Sequence, residues 1–395
     1  MGMRLDAEKW RAHRGVERIL KALGSADGLT RYVGGAVRDD LLGLPVNDID
    51  FATRLTPDQV VERLEKAHIK AVPTGIDHGT ITAVADGQPA EVTTLRADVS
   101  TDGRRATVEF TDDWMADASR RDFTINALYA DPETGEVHDY FGGLDDLKAH
   151  RVRFIGDPLT RIAEDHLRIL RFFRFHARFG DGKPDAEAIA ACAARANDLM
   201  ALSRERIADE LLKLLALTDP STTVELMIER GIFTPVLPEI VSAEPLRSLL
   251  AAEQEAGFEP DSLRRLSALL PRDAATAGAT AARLKLSNKA RKRIGLAVDA
   301  DLSDSPQSLA YWIGTESAID RLLLAGRASD AREIRDWAVP KLPIGGGDLI
   351  KLGITQGPRV AKTLQAIEQA WVADQFPEGD AFAAIVRKAV DSETR

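Results

Sequence analysis

YVGGAVRD (residues 32–39) and NDIDFA (residues 47–52) are the stretches that decide the fold of the first part of this chain. In the first stretch, a glycine pair separates a strand predicted over 29–33 from a helix predicted to continue to residue 42. The second stretch alternates polar and apolar residues, which predicts a strand over 47–52. A strand, a glycine turn, a helix and a second strand in this order are typical of an α/β unit.

The glycine pair is a candidate phosphate-binding turn. Glycine lets backbone amides approach an anion closely, and a helix N-terminus presents unpaired N–H groups at the positive end of the helix dipole. Arg38 lies one turn into the predicted helix, where a guanidinium can hold a phosphate through two N–H groups. Gly34, Gly35 and Arg38 are therefore candidate triphosphate contacts, although a plain glycine turn has the same local pattern.

Asp48 and Asp50 are candidate metal ligands. Side chains two residues apart on a strand point to the same face, so these carboxylates repel each other unless a cation lies between them. Magnesium prefers such hard oxygen ligands, and Glu91 at the start of a neighbouring predicted strand offers a third carboxylate. Asp-x-Asp is also common on solvated strands. Its position about a dozen residues after the glycine turn favours a Mg²⁺ site, with two ions as the expected number.

Further along, the character of the chain changes. Residues 79–84 and 90–95 predict a hairpin around Asp86-Gly87, and the polar stretch 96–107 predicts a loop. Beyond residue 150, helical periodicity dominates. Helices are predicted over 159–179, 184–198, 203–217 and 220–230. The predicted fold class is α+β, with an N-terminal α/β head followed by an all-helical remainder.

Composition narrows the class of protein. The net charge of −10 argues weakly against a general nucleic-acid binder, but residues 151–180 carry seven arginines against three acidic residues. The single cysteine, Cys192, excludes an internal disulfide and a thiolate metal cluster, which favours a reduced cytoplasmic location. No stretch has the apolar length of a membrane span, so no membrane partner is expected.

The ordered motifs resemble a known family. GGAVRD followed by NDIDFAT resembles the head of the class II tRNA nucleotidyltransferase and bacterial poly(A) polymerase family. The resemblance continues in order through TGIDHGTIT (74–82), EVTTLR (91–96), TDGRR (101–105), RRDFTINALY (120–129), DYFGG (139–143), RIAEDHLRILRFFRF (161–175) and SRERIADEL (203–211). It implies a nucleotidyltransferase head over 1–150, a helical neck over 151–230, and a helical body and tail over 231–395 that hold tRNA.

The resemblance also implies roles for individual residues. Asp48 and Asp50 match the metal ligands of the family, and Glu91 matches its third carboxylate. The residues that match nucleotide contacts are Gly34, Gly35, Arg38, Arg121, Asp165, Arg168, Arg171 and Arg174. Among these, Asp165 and Arg168 match the pair that reads the incoming base, and Arg171 and Arg174 match residues that support it.

Asp165 and Arg168 suit the recognition of cytosine and adenine. They are three residues apart on a predicted helix and would share a face. Aspartate only accepts hydrogen bonds and arginine only donates them, while cytosine and adenine each present an amino donor beside a ring-nitrogen acceptor. Uracil and guanine present the opposite pattern, and each mismatched polar group left buried would cost about 1–3 kcal/mol.

The sequence therefore predicts an enzyme that adds C, C and A to the 3′ end of tRNA without a nucleic-acid template, from CTP and ATP, releasing pyrophosphate. A poly(A) polymerase and an A-adding tRNA nucleotidyltransferase remain alternatives with the same head. His78 argues against a poly(A) polymerase. The segment 96–109 resembles the loop needed for adenosine addition. An inactive RNA-binding protein is the alternative of another class, disfavoured because the acids and the base-reading pair are all present. No particular oligomeric state is predicted.

Overall fold

A computed structural model describes residues 4–46, 48–76, 79–101, 106–181, 183–354 and 357–394. His78 and residues 102–105 of the TDGRR motif, both used in the sequence analysis, lie outside the described residues. The chain divides into two compact units. Met1–Ser203 with Glu229–Pro235 forms the first, and Arg204–Ile228 with Val236–Arg395 forms the second.

Nine strands are described, all in the first unit. They are Thr30–Val33 (β1), Phe51–Thr53 (β2), Lys70–Gly75 (β3), Thr80–Ala85 (β4), Gln88–Thr94 (β5), Arg96–Thr101 (β6), Ala106–Phe110 (β7), Leu128–Ala130 (β8) and Val137–Asp139 (β9). Seven form one sheet in the order β3-β4-β5-β2-β1-β8-β9, and β6 pairs with β7 separately. In the large sheet, only the β2–β5 pair is parallel among the described strands.

Helices of the first unit flank this sheet and continue beyond it. They are Ala7–Arg11 (α1), Val16–Ala22 (α2), Gly35–Leu41 (α3), Pro57–Lys66 (α4), Trp114–Ser119 (α5), Gly143–Lys148 (α6), Pro158–Glu164 (α7), Arg168–Phe179 (α8) and Ala186–Ala194 (α9). Short 3₁₀ turns at Ser25–Asp27, Thr124–Asn126 and Ala196–Ala201 join them.

In the second unit, the regular secondary structure of the described residues is all helical, with loops between the helices. Its helices are Arg204–Leu215 (α10), Ser221–Glu229 (α11), Glu244–Ala256 (α12), Ser262–Leu269 (α13), Ala274–Arg283 (α14), Asn288–Val298 (α15), Pro306–Ile313 (α16), Thr315–Leu324 (α17), Ala328–Glu333 (α18), Gly346–Lys351 (α19), Gly357–Ala373 (α20) and Gly379–Thr394 (α21). The predicted α+β class is confirmed. Each described helix is too short or too polar to cross a membrane.

The predicted hairpin around Asp86-Gly87 is present. Ala85 pairs with Gln88 across a two-residue turn, in which Asp86 has φ 52° and Gly87 has φ 81°. Two left-handed residues of this kind match the right-handed twist of the flanking strands, which is why an Asp-Gly pair is favoured there.

Three predicted elements differ from the structure. The predicted loop over 96–107 is wrong, because Arg96–Thr101 and Ala106–Phe110 pair as antiparallel strands. The charged residues and the glycine suggested a loop. The two segments nevertheless form strands, because their backbone N–H and C=O groups bond to each other without either segment joining the main sheet. The predicted strand over 47–52 is also shortened, because ladder pairing begins only near Asp50, whose carbonyl accepts from the Val33 N–H at 3.1 Å.

The predicted helix over 159–179 is divided. Asp165 follows α7 with φ −151° and ψ 105°, an extended conformation that ends that helix, and α8 begins at Arg168. The Asp165 side chain accepts from the Leu167 N–H at 3.1 Å, a local bond that competes with continued helix. The expectation that Asp165 and Arg168 share one helix face is therefore wrong.

Aromatic packing attaches α8 to two segments that lie outside the strands of the sheet. The ring of Phe123 lies 5.2 Å from that of Phe175, and Phe154 stacks on Phe172 at 5.8 Å. Phe123, Phe154 and Phe172 are fully buried. Such aromatic pairs stabilise the packing beyond the contribution of their buried area. They therefore fix the position and the rotation of α8 within the first unit.

In the second unit, a buried ion network holds α12, α13 and α17 together. Glu253 accepts from Arg264 at 2.7 Å and from Arg265 at 3.0 Å, and Arg264 also donates to Asp320 at 2.9 Å. Arg265 further donates to the carbonyl of Leu215 at the end of α10, at 2.8 Å. All four charged side chains are less than a tenth exposed.

We expect Glu253→Ala to lower the free energy of unfolding by about 3–5 kcal/mol, because two buried guanidinium groups would lose a shared carboxylate. Urea unfolding followed by circular dichroism measures the change. Glu255→Ala is the matched control, since Glu255 is exposed on the same helix, and it should change stability by about 0.5 kcal/mol or less. Equal midpoints for the two variants would contradict the expectation.

Candidate active site

A cavity of about 450 Å³ lies in the first unit, between the turn before α3, the start of β2 and the face of α8. It is lined by Val33, Gly34, Gly35, Arg38, Asp50, Arg121, Asp122, Asn126, Asp165, Arg168, Arg171 and Phe175. Most of the predicted site residues are among them. The exceptions are Asp48, Glu91 and Arg174, which are not lining residues.

The glycine turn brings backbone close to cationic side chains. Gly34 has φ 73° and ψ −129°, a region open in practice only to glycine, and its N–H donates to the Leu128 carbonyl at 3.0 Å. A Cβ at Gly34 would lie 3.5 Å from Nη1 of Arg121, and one at Gly35 would lie 3.4 Å from Nη2 of Arg38. The turn therefore leaves space beside two guanidinium groups.

Arg38 is held in place by the protein itself. Its side chain is buried, its Nε donates to Asp39 at 2.8 Å, and its Nη1 donates to Oδ1 of Asn126. The guanidinium also lies 4.2 Å from the centre of the Phe179 ring. Burial lowers the pKa of Arg38, and Asp39 opposes this shift. A guanidinium still remains charged at neutral pH, so the cavity wall has a fixed cation.

Three carboxylates come together near the edge of β2. Phe51 pairs in parallel with Val92, so the preceding residues, Asp50 just before β2 and Glu91 in the middle of β5, lie side by side on neighbouring chain segments. Burial, and after it the charges of Glu91 and Asp48, raises the pKa of Asp50 to about 6, while Arg121 opposes the shift. This mutual repulsion is the condition that a bound cation would relieve.

The carboxylates fit magnesium better than a metal whose ligands must all come from the protein. Among the described residues, no group of three or more His, Cys, Asp or Glu side chains could hold a metal ion alone. Mg²⁺ is usually held by one or two carboxylates together with waters and substrate phosphates. Asp48, which is exposed, and Asp50, which is half-buried, offer such a partial set.

Arg121 belongs to a network behind the glycine turn. It donates to Oη of Tyr129 at 3.0 Å and to Asp117 at 3.1 Å, and the Tyr129 hydroxyl donates to Asp117 at 2.6 Å. Burial lowers the pKa of Arg121, but Tyr129 and Asp117 outweigh it and leave the pKa above its usual value. Arg121 is thus a permanent, oriented cation on the cavity wall.

The break between α7 and α8 places Asp165 and Arg168 on the same cavity. Nη1 of Arg168 donates to Glu164 at 2.6 Å and to the Arg161 carbonyl at 2.9 Å, and its Nη2 donates to the Arg120 carbonyl at 3.0 Å. These bonds use three of the five N–H donors of the guanidinium. They also tie the start of α8 to the segment that carries Arg121.

Arg171 and Arg174 have different surroundings on α8. Arg171 lines the cavity and donates to Asp122 at 2.8 Å. The Arg174 guanidinium lies 4.5 Å from the centre of the Phe175 ring and does not belong to the lining. Arg178, which is exposed, pairs with Asp39 at 3.1 Å.

Sequence reasoning did not assign several residues that shape this cavity. Asp117, Tyr129 and Glu164 orient its arginines, and Asp122 and Asn126 join two of them. Asp122, Asn126, Tyr129 and Glu164 lie in RRDFTINALY and RIAEDHLR, and that position was the signal that could have found them, whereas Asp117 lies outside both motifs. Spacing alone could not show that buried polar side chains would bond to cations on other elements.

Comparison with known proteins agrees with this geometry. The family described as the poly A polymerase head domain matches residues 30–153, and the probable RNA and SrmB-binding site of polymerase A matches residues 183–244. Mitochondrial CCA tRNA nucleotidyltransferase 1 of Mus musculus is 36% identical, with 95% of this chain and 90% of the relative covered. The CCA-adding enzyme of Lacticaseibacillus paracasei is 33% identical, with 91% and 92% covered.

Solved structures show the same architecture. The Bacillus stearothermophilus CCA-adding enzyme in complex with CTP aligns with a TM-score of 0.77 at 26% identity, covering 96% of this chain and 98% of that one. The Thermotoga maritima CCA-adding enzyme complexed with tRNA aligns with a TM-score of 0.70 at 21% identity over the whole of both chains, which shows the shared fold.

The sheet, the glycine turn and the acids beside β2 define a nucleotidyltransferase, a class of enzyme that generally depends on metal ions. With relatives above 30% identity over nearly its full length, the chain belongs to the family of CCA-adding tRNA nucleotidyltransferases and bacterial poly(A) polymerases.

We expect Asp50→Ala to reduce nucleotide transfer by at least about a thousandfold, because transition-state charge stabilisation worth several kcal/mol would be lost with the metal ligand. RNA binding, measured by filter retention, should stay within a factor of about two, since the fold is unchanged. Asp58→Ala is the control, because Asp58 is an exposed aspartate on α4 of the same unit. Transfer that survives in Asp50→Ala would refute the metal assignment.

Proposed function

We propose that this chain adds C, C and A in turn to the 3′ end of tRNA without a nucleic-acid template, using CTP and ATP and releasing pyrophosphate. The observation that carries the proposal is that one cavity is lined by the glycine turn, by Asp50 and by the pair Asp165 and Arg168. The named activity of the relatives supports the same reaction.

In this proposal, Asp48 and Asp50 are ligands of Mg²⁺, with two ions as the expected number, and Glu91 is the third catalytic carboxylate. Bound magnesium would lower the pKa of the RNA 3′-hydroxyl and neutralise charge on the departing pyrophosphate. The protein contributes placement of the reacting groups and preorganised positive charge rather than a covalent nucleophile.

The nucleotide contacts divide by their place on the cavity. Gly34, Gly35, Arg38 and Arg121 hold the triphosphate, because the turn leaves open space beside two guanidinium groups. Asp165 accepts from the amino group of cytosine or adenine, and Arg168 donates to the ring nitrogen through the N–H groups that its protein bonds leave. Arg171 and Arg174 support this base-reading pair.

Three regions of the chain take different parts in this reaction. We assign residues 1–150 to the catalytic head, residues 151–230 to a neck for base recognition and RNA contact, and residues 231–395 to a body and tail for tRNA. The excess of arginine over 151–180 supports an RNA contact there, even though the chain as a whole is acidic. We place the protein in the cytoplasm, because its one cysteine, Cys192, is buried and needs no oxidising compartment.

A poly(A) polymerase is the second candidate, because the family that matches residues 30–153 is described as the poly A polymerase head domain. An A-adding tRNA nucleotidyltransferase has the same requirements for the head. An inactive RNA-binding protein would not need the acids and arginines that converge on the cavity.

A single extension assay separates these functions. The protein is incubated with Mg²⁺ and a tRNA transcript that lacks CCA, with CTP, ATP or both, and products are resolved to single nucleotides. Two additions with CTP alone and three with both nucleotides are expected. A long ladder with ATP alone would indicate a poly(A) polymerase, growth only on tRNA that ends in CC would indicate an A-adding enzyme, and no extension would favour the RNA-binding protein.

Arg168→Ala should relax the choice of base more than it slows transfer. Loss of the donor removes the penalty of about 1–3 kcal/mol for a mismatched polar group, so incorporation of UTP or GTP relative to CTP should rise by roughly tenfold to a hundredfold. The measurement is kcat/KM for each of the four nucleotides. Arg178→Ala, on the same helix and outside the cavity lining, should keep the preference for C and A. An unchanged preference in Arg168→Ala would exclude base reading by this residue.

A further inference from the structure

Asn126 connects two arginines on opposite walls of the cavity. Its Oδ1 accepts from Nη1 of Arg38, which lies on the helix after the glycine turn. Its Nδ2 donates to Oδ1 of Asp122 at 3.0 Å. Asp122 in turn accepts from Nε of Arg171 on α8 at 2.8 Å through its other oxygen. The chain of bonds therefore runs from Arg38 through Asn126 and Asp122 to Arg171.

This chain of bonds is part of the cavity and is shielded from water. All four residues line the cavity, and Asn126 and Asp122 are each only 8% exposed. Burial raises the pKa of Asp122, but the charge of Arg171 and the hydrogen bond from Asn126 outweigh it and leave the pKa below its usual value. Asp122 is thus charged at neutral pH, and its charge is balanced by Arg171.

The amide side chain has a property that this position requires. It must accept a hydrogen bond from a cation and donate one to a carboxylate at the same time, and asparagine carries both groups on one planar unit. A carboxylate at position 126 would bring two acids together. A small apolar residue there would deprive both Arg38 and Asp122 of a hydrogen bond. The 3₁₀ turn Thr124–Asn126 sets the direction of this side chain.

The two ends of the chain of bonds meet different parts of a nucleotide under the proposed function. Arg38 borders the glycine turn, where the triphosphate is proposed to bind, and Arg171 borders Arg168, which is proposed to read the base. A hydrogen-bonded chain in a buried site transmits the orientation of one member to the next more strongly than the same bonds would in water.

We propose that Asn126 is a positioning residue that couples Arg38 to Arg171 through Asp122, so that the triphosphate side and the base side of the cavity keep one mutual arrangement. The kinetic consequence rests on the proposed function. The coupling itself can be measured by nucleotide binding alone.

A reciprocal exchange tests this coupling. Asn126→Asp and Asp122→Asn each disrupt the bond between the two residues, whereas the double variant restores one amide and one carboxylate with the direction of donation reversed between them. In the double variant, the carboxylate at position 126 can accept from Arg38, and the amide at position 122 can donate to that carboxylate while accepting from Arg171. The Phe123 N–H, which donates to Oδ1 of Asp122 at 2.9 Å, then loses its acceptor, so we expect partial rather than full recovery of activity. The net charge of the cavity is also unchanged.

We expect each single variant to lower kcat/KM for both CTP and ATP by roughly tenfold to a hundredfold, mainly through KM. The double variant should be at least about threefold more active than the product of the two single losses, since the effects of directly bonded residues are not additive. Dissociation constants for CTP and ATP, measured by calorimetry without RNA, should follow the same order. Asn197→Asp, at an exposed asparagine outside the cavity lining, is the matched control and should behave as wild type.

Thermal unfolding of every variant separates coupling from loss of fold. Asn126→Ala, which introduces no charge, provides a second test if a charged variant does not fold. Wild-type nucleotide binding in Asn126→Ala, or losses in the folded double variant that equal the product of the single losses, would overturn the proposal. If the wild-type protein does not extend tRNA, the proposed function fails, while the CTP and ATP dissociation constants still decide the role of Asn126.

Discussion

The parallel pairing of β2 with β5 is the constraint on which the site depends. Phe51 opposite Val92 sets the register, and the residues that precede each of them, Asp50 and Glu91, then lie side by side. β1 pairs antiparallel with β2 on its other side, so the glycine turn that follows β1 lies beside Asp50. A shift of one residue in either pair would turn the acids to the opposite face, because side chains alternate along a strand. Backbone hydrogen bonds, rather than contacts between the acidic side chains, therefore bring these acids together.

Balanced charge is the second organising feature of the cavity. Burial, and after it the charges of Glu91 and Asp48, raises the pKa of Asp50 among the carboxylates beside β2. Each arginine that lines the cavity is held by at least one acid or amide. The pairs are Arg38 with Asp39 and Asn126, Arg121 with Asp117, Arg168 with Glu164, and Arg171 with Asp122. Guanidinium groups that are already oriented lose little side-chain entropy when an anionic substrate binds. The same partners keep the arginines from collapsing onto the acids when the cavity has no substrate.

The sequence predicted residues that line the cavity better than it predicted the elements that carry them. The Asp-Gly hairpin was correct, because its turn chemistry is local and involves only two residues. The helix over 159–179 was predicted as continuous, because its apolar periodicity continues across the break, while the side-chain bond from Asp165 that ends α7 has no periodic signature. The chain also breaks between α1 and α2 at Gly15, whose φ of 80° lets its backbone lie directly against Ala85.

The sequence by itself determined the class of fold, the family and the identity of the candidate site residues, because motif spacing and hydrophobic pattern are properties of the chain alone. Tertiary structure decided how those residues work together. It placed Asp165 and Arg168 on one cavity through a break between two helices rather than on one helical face. It also paired Arg178 with Asp39 and joined Arg38 to Arg171 through Asn126 and Asp122. These contacts connect residues up to 139 positions apart, and the partner of a buried polar group depends on which distant element packs against it.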